Sequence, residues 1–188
     1  MSIQIVYETH ATTADNEARI ATGWLPGTLS ATGRAQAREL GRRRRDDGIA
    51  AVFTSDLDRA VETARIAFAD TSLPVHQDVR LRECNYGALN GRPMALIQAQ
   101  RARRIDEPFP GGQSYRDVQA ATEDFLRDLA ADRDGTRVLV IAHSANRWAL
   151  DCLLTGARWP ALVEASSPWQ PGWEYTLPTP WRGAGSSR

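Results

Sequence analysis

Val138-Leu139-Val140-Ile141-Ala142-His143-Ser144 is an unbroken apolar run that ends on a histidine. Continuous apolar residues without polar alternation predict a strand covered on both faces, as in the middle of a parallel sheet. Ile3 to Tyr7 and Ile49 to Phe53 read as further strands, Val75 and Val79 mark a short one, and Trp173 to Leu177 a last one. Between them lie helical stretches: Thr32 to Arg45, ended by Gly48; Leu57 to Phe68; Ala95 to Arg104; Ser114 to Asp132, stopped by Gly135; and Trp148 to Leu154. Strands alternating with helices predict an α/β fold, a three-layer α/β/α sandwich around a mostly parallel sheet.

The 188 residues suit one domain, expected over residues 1–177, with a Gly-, Ser- and Pro-rich tail over 178–188 expected to be disordered. Basic and acidic residues balance at 23 each, which argues against a nucleic-acid or membrane-surface partner. Every basic residue is arginine, so a Schiff-base lysine and a P-loop lysine are both excluded. Arg42 to Arg45 sit at a helix end, followed by Asp46 and Asp47, and read as a solvated face. Cys84 and Cys152 have neither metal-ligand spacing nor the density of a disulfide scaffold, and are expected to be reduced thiols of a cytoplasmic protein. No apolar run reaches membrane-spanning length, and the start does not read as a signal peptide. The six tryptophans, Trp24, Trp148, Trp159, Trp169, Trp173 and Trp181, are read first as packing residues, with an apolar substrate pocket as the alternative.

Two of the three histidines follow strands directly: His10 the first strand, His143 the most apolar one. His76 lies in a polar stretch and is read as a surface residue. Ligands of open parallel sheets bind at the carboxyl ends of the strands, so residues distant in sequence meet there. A third strand leads through Thr54-Ser55-Asp56 to Arg59 at a helix start, and another helix begins soon after His143. Two imidazoles, a guanidinium and a helix N-terminus suit a phosphate group. Competing chemistries lack their signatures: there is no G-x-S-x-G, G-x-G-x-x-G, Walker A or H-E-x-x-H pattern.

These residues resemble the histidine phosphatase superfamily, the phosphoglycerate mutase-like fold, over roughly Ile3 to Leu154. The family's R-H-G-E-T-x-x-N stretch stands as Thr9-His10-Ala11-Thr12-Thr13-Ala14-Asp15-Asn16, with His10, Thr13 and Asn16 matching. Gly23-Trp24 and Leu29-Ser30-Ala31-Thr32-Gly33-Arg34-Ala35-Gln36-Ala37 follow, then an intact Ser55-Asp56-Leu57-Asp58-Arg59-Ala60-Val61-Glu62-Thr63-Ala64. Leu81-Arg82-Glu83 with Gly87, the loop Pro110-Gly111-Gly112-Gln113-Ser114, and the run into His143-Ser144 complete the order.

The resemblance implies a metal-independent phosphohydrolase acting on a small-molecule phosphate monoester, with no cofactor, as a monomer or homodimer. It implies a phosphohistidine on His10, Glu83 as general acid and base, and Arg59 and His143 holding the phosphoryl oxygens. Asn16, Thr9, Thr13, Gly23 and Ser144 are the substrate-binding positions it carries over. Two other readings stay open: a weak or inactive binding or regulatory protein, and a mutase-type phosphotransferase, which the short stretch between Gly91 and Pro110 disfavours.

Several positions depart from the pattern. Thr9 stands where the family has a phosphate-binding Arg; losing such a charged contact costs roughly 1.5–3 kcal/mol. Cys84 stands where mutase-like members carry a further Arg. Glu8 shares a strand face with His10, where a carboxylate repels a phosphate dianion unless an arginine neutralises it.

Overall fold

The computed structural model describes residues 1–165, 170–181 and 183. In chain order its elements are β1 (Ser2–Thr9), α1 (Ala14–Glu17), β2 (Ile20–Ala21), α2 (Ala31–Arg44), β3 (Ala51–Thr54), α3 (Asp58–Ala67), β4 (Val75–Gln77), β5 (Arg92–Pro93), α4 (Met94–Gln98), α5 (Tyr115–Asp132), β6 (Arg137–Ala142), α6 (Ser144–Leu150), α7 (Trp159–Glu164) and β7 (Trp173–Pro178). The main sheet runs β4-β3-β6-β1-β7. Its first four strands are parallel, and β7 closes the edge antiparallel to β1. β2 and β5 form a separate two-stranded sheet.

β6 lies in the middle, which explains its unbroken apolar run. Leu139 and Ile141 pack with Val6, Val52, Leu40 and Ala64 in a core cluster towards α2 and α3. Val138, Val140 and Ala142 pack with Ile3, Ile5, Phe125 and Leu126 in a second cluster towards α5. Both faces are dry, and each such side chain contributes about 1.5–3 kcal/mol by leaving water. The mixed α/β fold with a mostly parallel sheet between helices is therefore as expected. A third cluster, including Tyr86, Phe109, Tyr115, Trp148 and Trp159, fills the space between α5, α6, α7 and the loops after Glu83. α2 and α3 approach closely at Gly41, where a Cβ would stand 2.0 Å from the Ala67 carbonyl oxygen.

Three expectations need correction. The helix expected over 95–104 is a short α4 followed by a 3-10 turn at Arg103–Ile105. The chain turns so that both Ile97 and Ile105 reach the third cluster, and Arg104 bonds Gln100 and the Pro108 carbonyl. The helix expected over 148–154 begins earlier, at Ser144, and widens into a π turn at Asp151–Thr155. The tail expected to be disordered from Pro178 is structured at its first residues. Pro178 closes β7, the Thr179 N–H bonds the Met1 carbonyl at 3.0 Å, and Trp181 packs on the second cluster. Trp169, residue 182 and residues 184–188 lie outside the described residues. No helix among the described residues is long and apolar enough to cross a membrane.

Candidate active site

The parallel strands β1, β3 and β6 end side by side, and their carboxyl ends carry His10, Ser55 and His143. The His10 N–H donates to the Ala142 carbonyl at 2.9 Å, which seats the loop after β1 against the end of β6. The two imidazoles lie 5.1 Å apart between centroids, tilted by 55°. The Tyr7 hydroxyl, fully buried, donates to the His143 carbonyl at 2.5 Å and fixes the backbone where β6 passes into α6.

His10 Nδ1 donates to the Ala11 carbonyl at 2.8 Å. That bond keeps the proton on Nδ1 and leaves the Nε2 lone pair free. Burial first and then the nearby Arg59 charge lower the His10 pKa to about 3, against the bond to the Ala11 carbonyl, which acts to raise it. His143 is driven well below its ordinary value by burial, then by Arg59 and His10. Both rings are neutral at physiological pH.

Arg59 stands at the start of α3 and is 2% exposed. Its Nη2 donates to the Gly23 carbonyl at 2.7 Å, and its Nη1 is buried without a partner. Gly23 sits at φ +56°, and a Cβ there would lie 1.8 Å from Asn90 Oδ1, so only glycine offers its carbonyl to Arg59 in this way. Thr63, one turn along α3, accepts the Ala11 N–H at 3.0 Å and donates to the Arg59 carbonyl at 2.6 Å. It locks the histidine loop to the helix that carries the arginine.

Glu83 sits on a braced loop. Trp24 Nε1 donates to the Glu83 carbonyl at 2.6 Å. Arg82 makes paired bonds to Asp56 at 2.7 and 2.5 Å and lies 4.6 Å over the Trp24 ring. Asn146 donates to the Arg82 carbonyl at 3.2 Å. The Glu83 carboxylate accepts the Cys84 N–H at 2.8 Å. Burial still carries its pKa above the ordinary glutamate value, against the Cys84 N–H and the Arg59 charge. A neutral imidazole with a free lone pair, a protonatable carboxyl and the unpartnered Arg59 Nη1 can together receive an anion and move a proton. Among the described residues, no group of His, Cys, Asp and Glu is arranged to hold a metal ion.

A cavity of about 240 Å³ beside His10 is lined by Glu8, Thr9, Asn16, Gln36 and Ser144 among others. Thr9, Asn16 and Ser144, three of the positions expected to bind substrate, line this cavity together with His10. Thr13 does not: it is fully buried, and its hydroxyl accepts the Asn16 N–H at 3.0 Å as the cap of α1. The expectation for the arginine run also fails in part. Glu8 is 3% exposed, and its Oε1 accepts from Arg43 Nη2 at 3.0 Å, Arg44 Nε at 2.9 Å and Arg44 Nη2 at 2.8 Å. The neutralising arginines come from α2, whose last turn folds over the end of β1. His76 is half-buried rather than free on the surface, stacked on Phe53 at 5.2 Å.

Ser55 was not among the expected site residues. Its Oγ lies 2.7 Å from His143 Nε2. The signal was its place at the end of β3, within the same stretch that holds Arg59. Tyr7 and Thr63 act through backbone groups, a role that residue type alone does not announce.

A sequence model of the histidine phosphatase superfamily (branch 1) matches residues 9–166. The chain is 34% identical over 167 residues to a 2,3-bisphosphoglycerate-dependent phosphoglycerate mutase of Methylobacterium sp. (strain 4-46), covering 81% of this chain and 80% of that protein. YhfR of Bacillus stearothermophilus superposes with a TM-score of 0.78 at 27% identity, over 90% of this chain and 87% of its own. The mycobacterial glucosyl-3-phosphoglycerate phosphatase Rv2419c in complex with VO3 superposes with a TM-score of 0.75 at 29% identity, over 85% of each chain. Phosphatases and mutases both stand among these neighbours. With the match spanning the strand end at Thr9, both histidines and the helices that carry Arg59 and Glu83's supports, the chain belongs to the histidine phosphatase superfamily, branch 1.

Proposed function

We propose that this chain hydrolyses a small-molecule phosphate monoester through a phosphohistidine on His10. One observation carries the reading: Arg59 Nη1 and His143 Nδ1 are buried, hold no protein partner, and belong to the site of a histidine whose Nδ1 is already bonded. Unsatisfied buried donors are costly unless a ligand completes them, and a phosphoryl group does so. His10 Nε2 attacks phosphorus as the ester P–O bond breaks. Glu83, whose carboxyl burial holds above the ordinary glutamate value, gives its proton to the leaving oxygen. The Glu83 carboxylate then takes a proton from water, whose oxygen attacks phosphorus as the N–P bond breaks. Orthophosphate leaves, and Glu83 is protonated again. No step requires a metal.

Thr9 favours a second reading, a binding protein of low turnover, because the pocket lacks one charged fork. The curated mutase relative favours a third, phosphotransfer. Phosphate release from sugar, nucleotide and aryl monoesters by the wild type and by His10→Ala separates them. Release that vanishes in the variant supports the hydrolase. Ligand-induced stabilisation without release leaves the binding protein, and phosphate moved within the substrate instead of released leaves the mutase.

A further inference from the structure

A groove of about 520 Å³ adjoins the His10 cavity, and Asn16 lines both. The small β2–β5 sheet forms its floor, where Ile20 pairs with Pro93, and Ile20, Pro93 and Met94 give it apolar surface. Arg19 stands on its wall. Among the described residues Arg19 is the only non-glycine at positive φ, +57°. That conformation is unfavourable for an ordinary side chain and suits glycine or asparagine better. Two backbone bonds enforce it: the Arg19 N–H donates to the Asn16 carbonyl at 3.1 Å, and the Arg19 carbonyl accepts from Met94 N–H at 2.8 Å. The turn does not need an arginine, and the guanidinium is exposed with no hydrogen-bond or ion-pair partner among the described residues. At the junction of the two spaces, Asn16 uses its Oδ1 on the Thr13 N–H and keeps its amide donors free.

We infer that this groove receives the alcohol portion of the phosphate ester, an apolar body ending in a carboxylate or other anion that Arg19 binds. The inference rests on the phosphatase reading for what occupies His10. Apolar walls with one unpaired cation select against both a small polar alcohol and an uncharged hydrocarbon. The strained backbone fixes the cation on the wall of the groove.

The test compares phenyl phosphate with 4-carboxyphenyl phosphate, and the biphenyl pair of the same design, in the wild type and in Arg19→Asn. Asparagine accepts the left-handed backbone, so the variant retains the turn, and its melting temperature reports on that directly. The wild type is expected to prefer the carboxylated ester of at least one pair by about 10- to 100-fold in kcat/KM, and Arg19→Asn to lose that preference. Absence of the preference, or its survival in Arg19→Asn, overturns the inference. Benzylphosphonate and 4-carboxybenzylphosphonate, which cannot be hydrolysed at the P–C bond, read the same preference as binding by calorimetry. If no ester releases phosphate, the phosphatase reading falls, and the phosphonate pair still decides the groove.

Discussion

Ser55 Oγ lies 2.7 Å from His143 Nε2, a bond between the ends of two neighbouring strands. The Leu57 N–H approaches the same oxygen at 3.4 Å as donor, and among the described residues the buried Ser55 hydroxyl has no acceptor for its own hydrogen other than Nε2. A neutral His143 then carries its proton on Nδ1, the buried atom without a protein partner. Ser55 thereby turns the imidazole into a donor for the phosphoryl group. Ser55→Ala is expected to lower kcat/KM about 5- to 100-fold through loss of this control. Orthovanadate affinity should fall in parallel, and Ser55→Thr should recover part of both. Steady-state kinetics with vanadate inhibition checks this; unchanged vanadate affinity in Ser55→Ala would show that the serine does not set the tautomer.

Glu8 is the anion on which α2 closes. Arg44 is buried, and its bonds to Asp47 and Glu8 hold its charge against burial, raising its pKa. Removing the charge at position 8 leaves a buried guanidinium short of a partner. Glu8→Gln is expected to cost about 3–5 kcal/mol, which for a chain of this size lowers Tm by roughly 6–20 °C. Arg43 is only half-buried, so Arg43→Gln should cost much less. Thermal melts of the two variants side by side decide the point, and equal shifts would mean that the pair buried at Arg44 carries no special weight.

The contrast between Arg44 and Arg59 shows what the sequence discloses. Arg59 was legible because a helix start after a buried strand places it at the ligand edge whatever the tertiary detail. Arg44 was not, since a run of arginines at a helix end looks the same whether its last turn meets water or the end of β1. Glu8 itself gave the hint: a carboxylate on the His10 face needed a cation, but nothing in the local pattern said which one. The same limit applies to the π turn after α6 and to the short β2–β5 sheet, where β2 is too short to show a period. His10, Arg59 and His143 were legible because strand ends converge by topology. Ser55, Tyr7 and Thr63 emerge only when hydrogen-bond partners are known.

Activity should fall as pH rises. Glu83 acts first as an acid, so its protonated form is the competent one. Its pKa is raised by burial, and the fraction protonated declines as pH passes through that raised value. His10 imposes no loss until the medium approaches its own pKa of about 3. The kcat/KM profile should therefore show an alkaline limb that Glu83→Gln removes, with the largest drop in rate for esters with poor leaving groups. An alkaline limb that persists in Glu83→Gln would assign the acid to another residue.

Stability should fall as pH drops. The unfolded chain protonates its histidines near pH 6.5, whereas folded His10 resists until about 3 and His143 is lowered in the same direction. A group whose folded pKa is depressed contributes stability above the unfolded value. That contribution is lost progressively as pH falls from about 6.5 towards the folded values. Melting curves from pH 7.5 to 4 should slope downwards, and His10→Gln and His143→Gln should each flatten the slope. Parallel slopes in wild type and variants would show that the two rings are not buried neutral.

Thr9→Arg tests how much of the phosphate grip the pocket lacks. Thr9 lines the cavity beside His10 together with Gln36 and Ser144, so a longer side chain has open space in front of it. A guanidinium there adds a charged fork to the donors of Arg59 and His143. Orthovanadate or orthophosphate inhibition is expected to tighten about 10- to 100-fold, with Thr9→Ser close to wild type. A competing sink exists. Glu8 Oε1 is occupied by Arg43 and Arg44, but Oε2 holds no protein partner among the described residues. If the new arginine turns to Oε2, its charge is neutralised and no tightening follows. Pairing Thr9→Arg with Glu8→Gln separates these cases. Tightening only in the double variant means that Glu8 captures the cation, and absence of tightening in both means that the phosphoryl site lies out of reach of position 9.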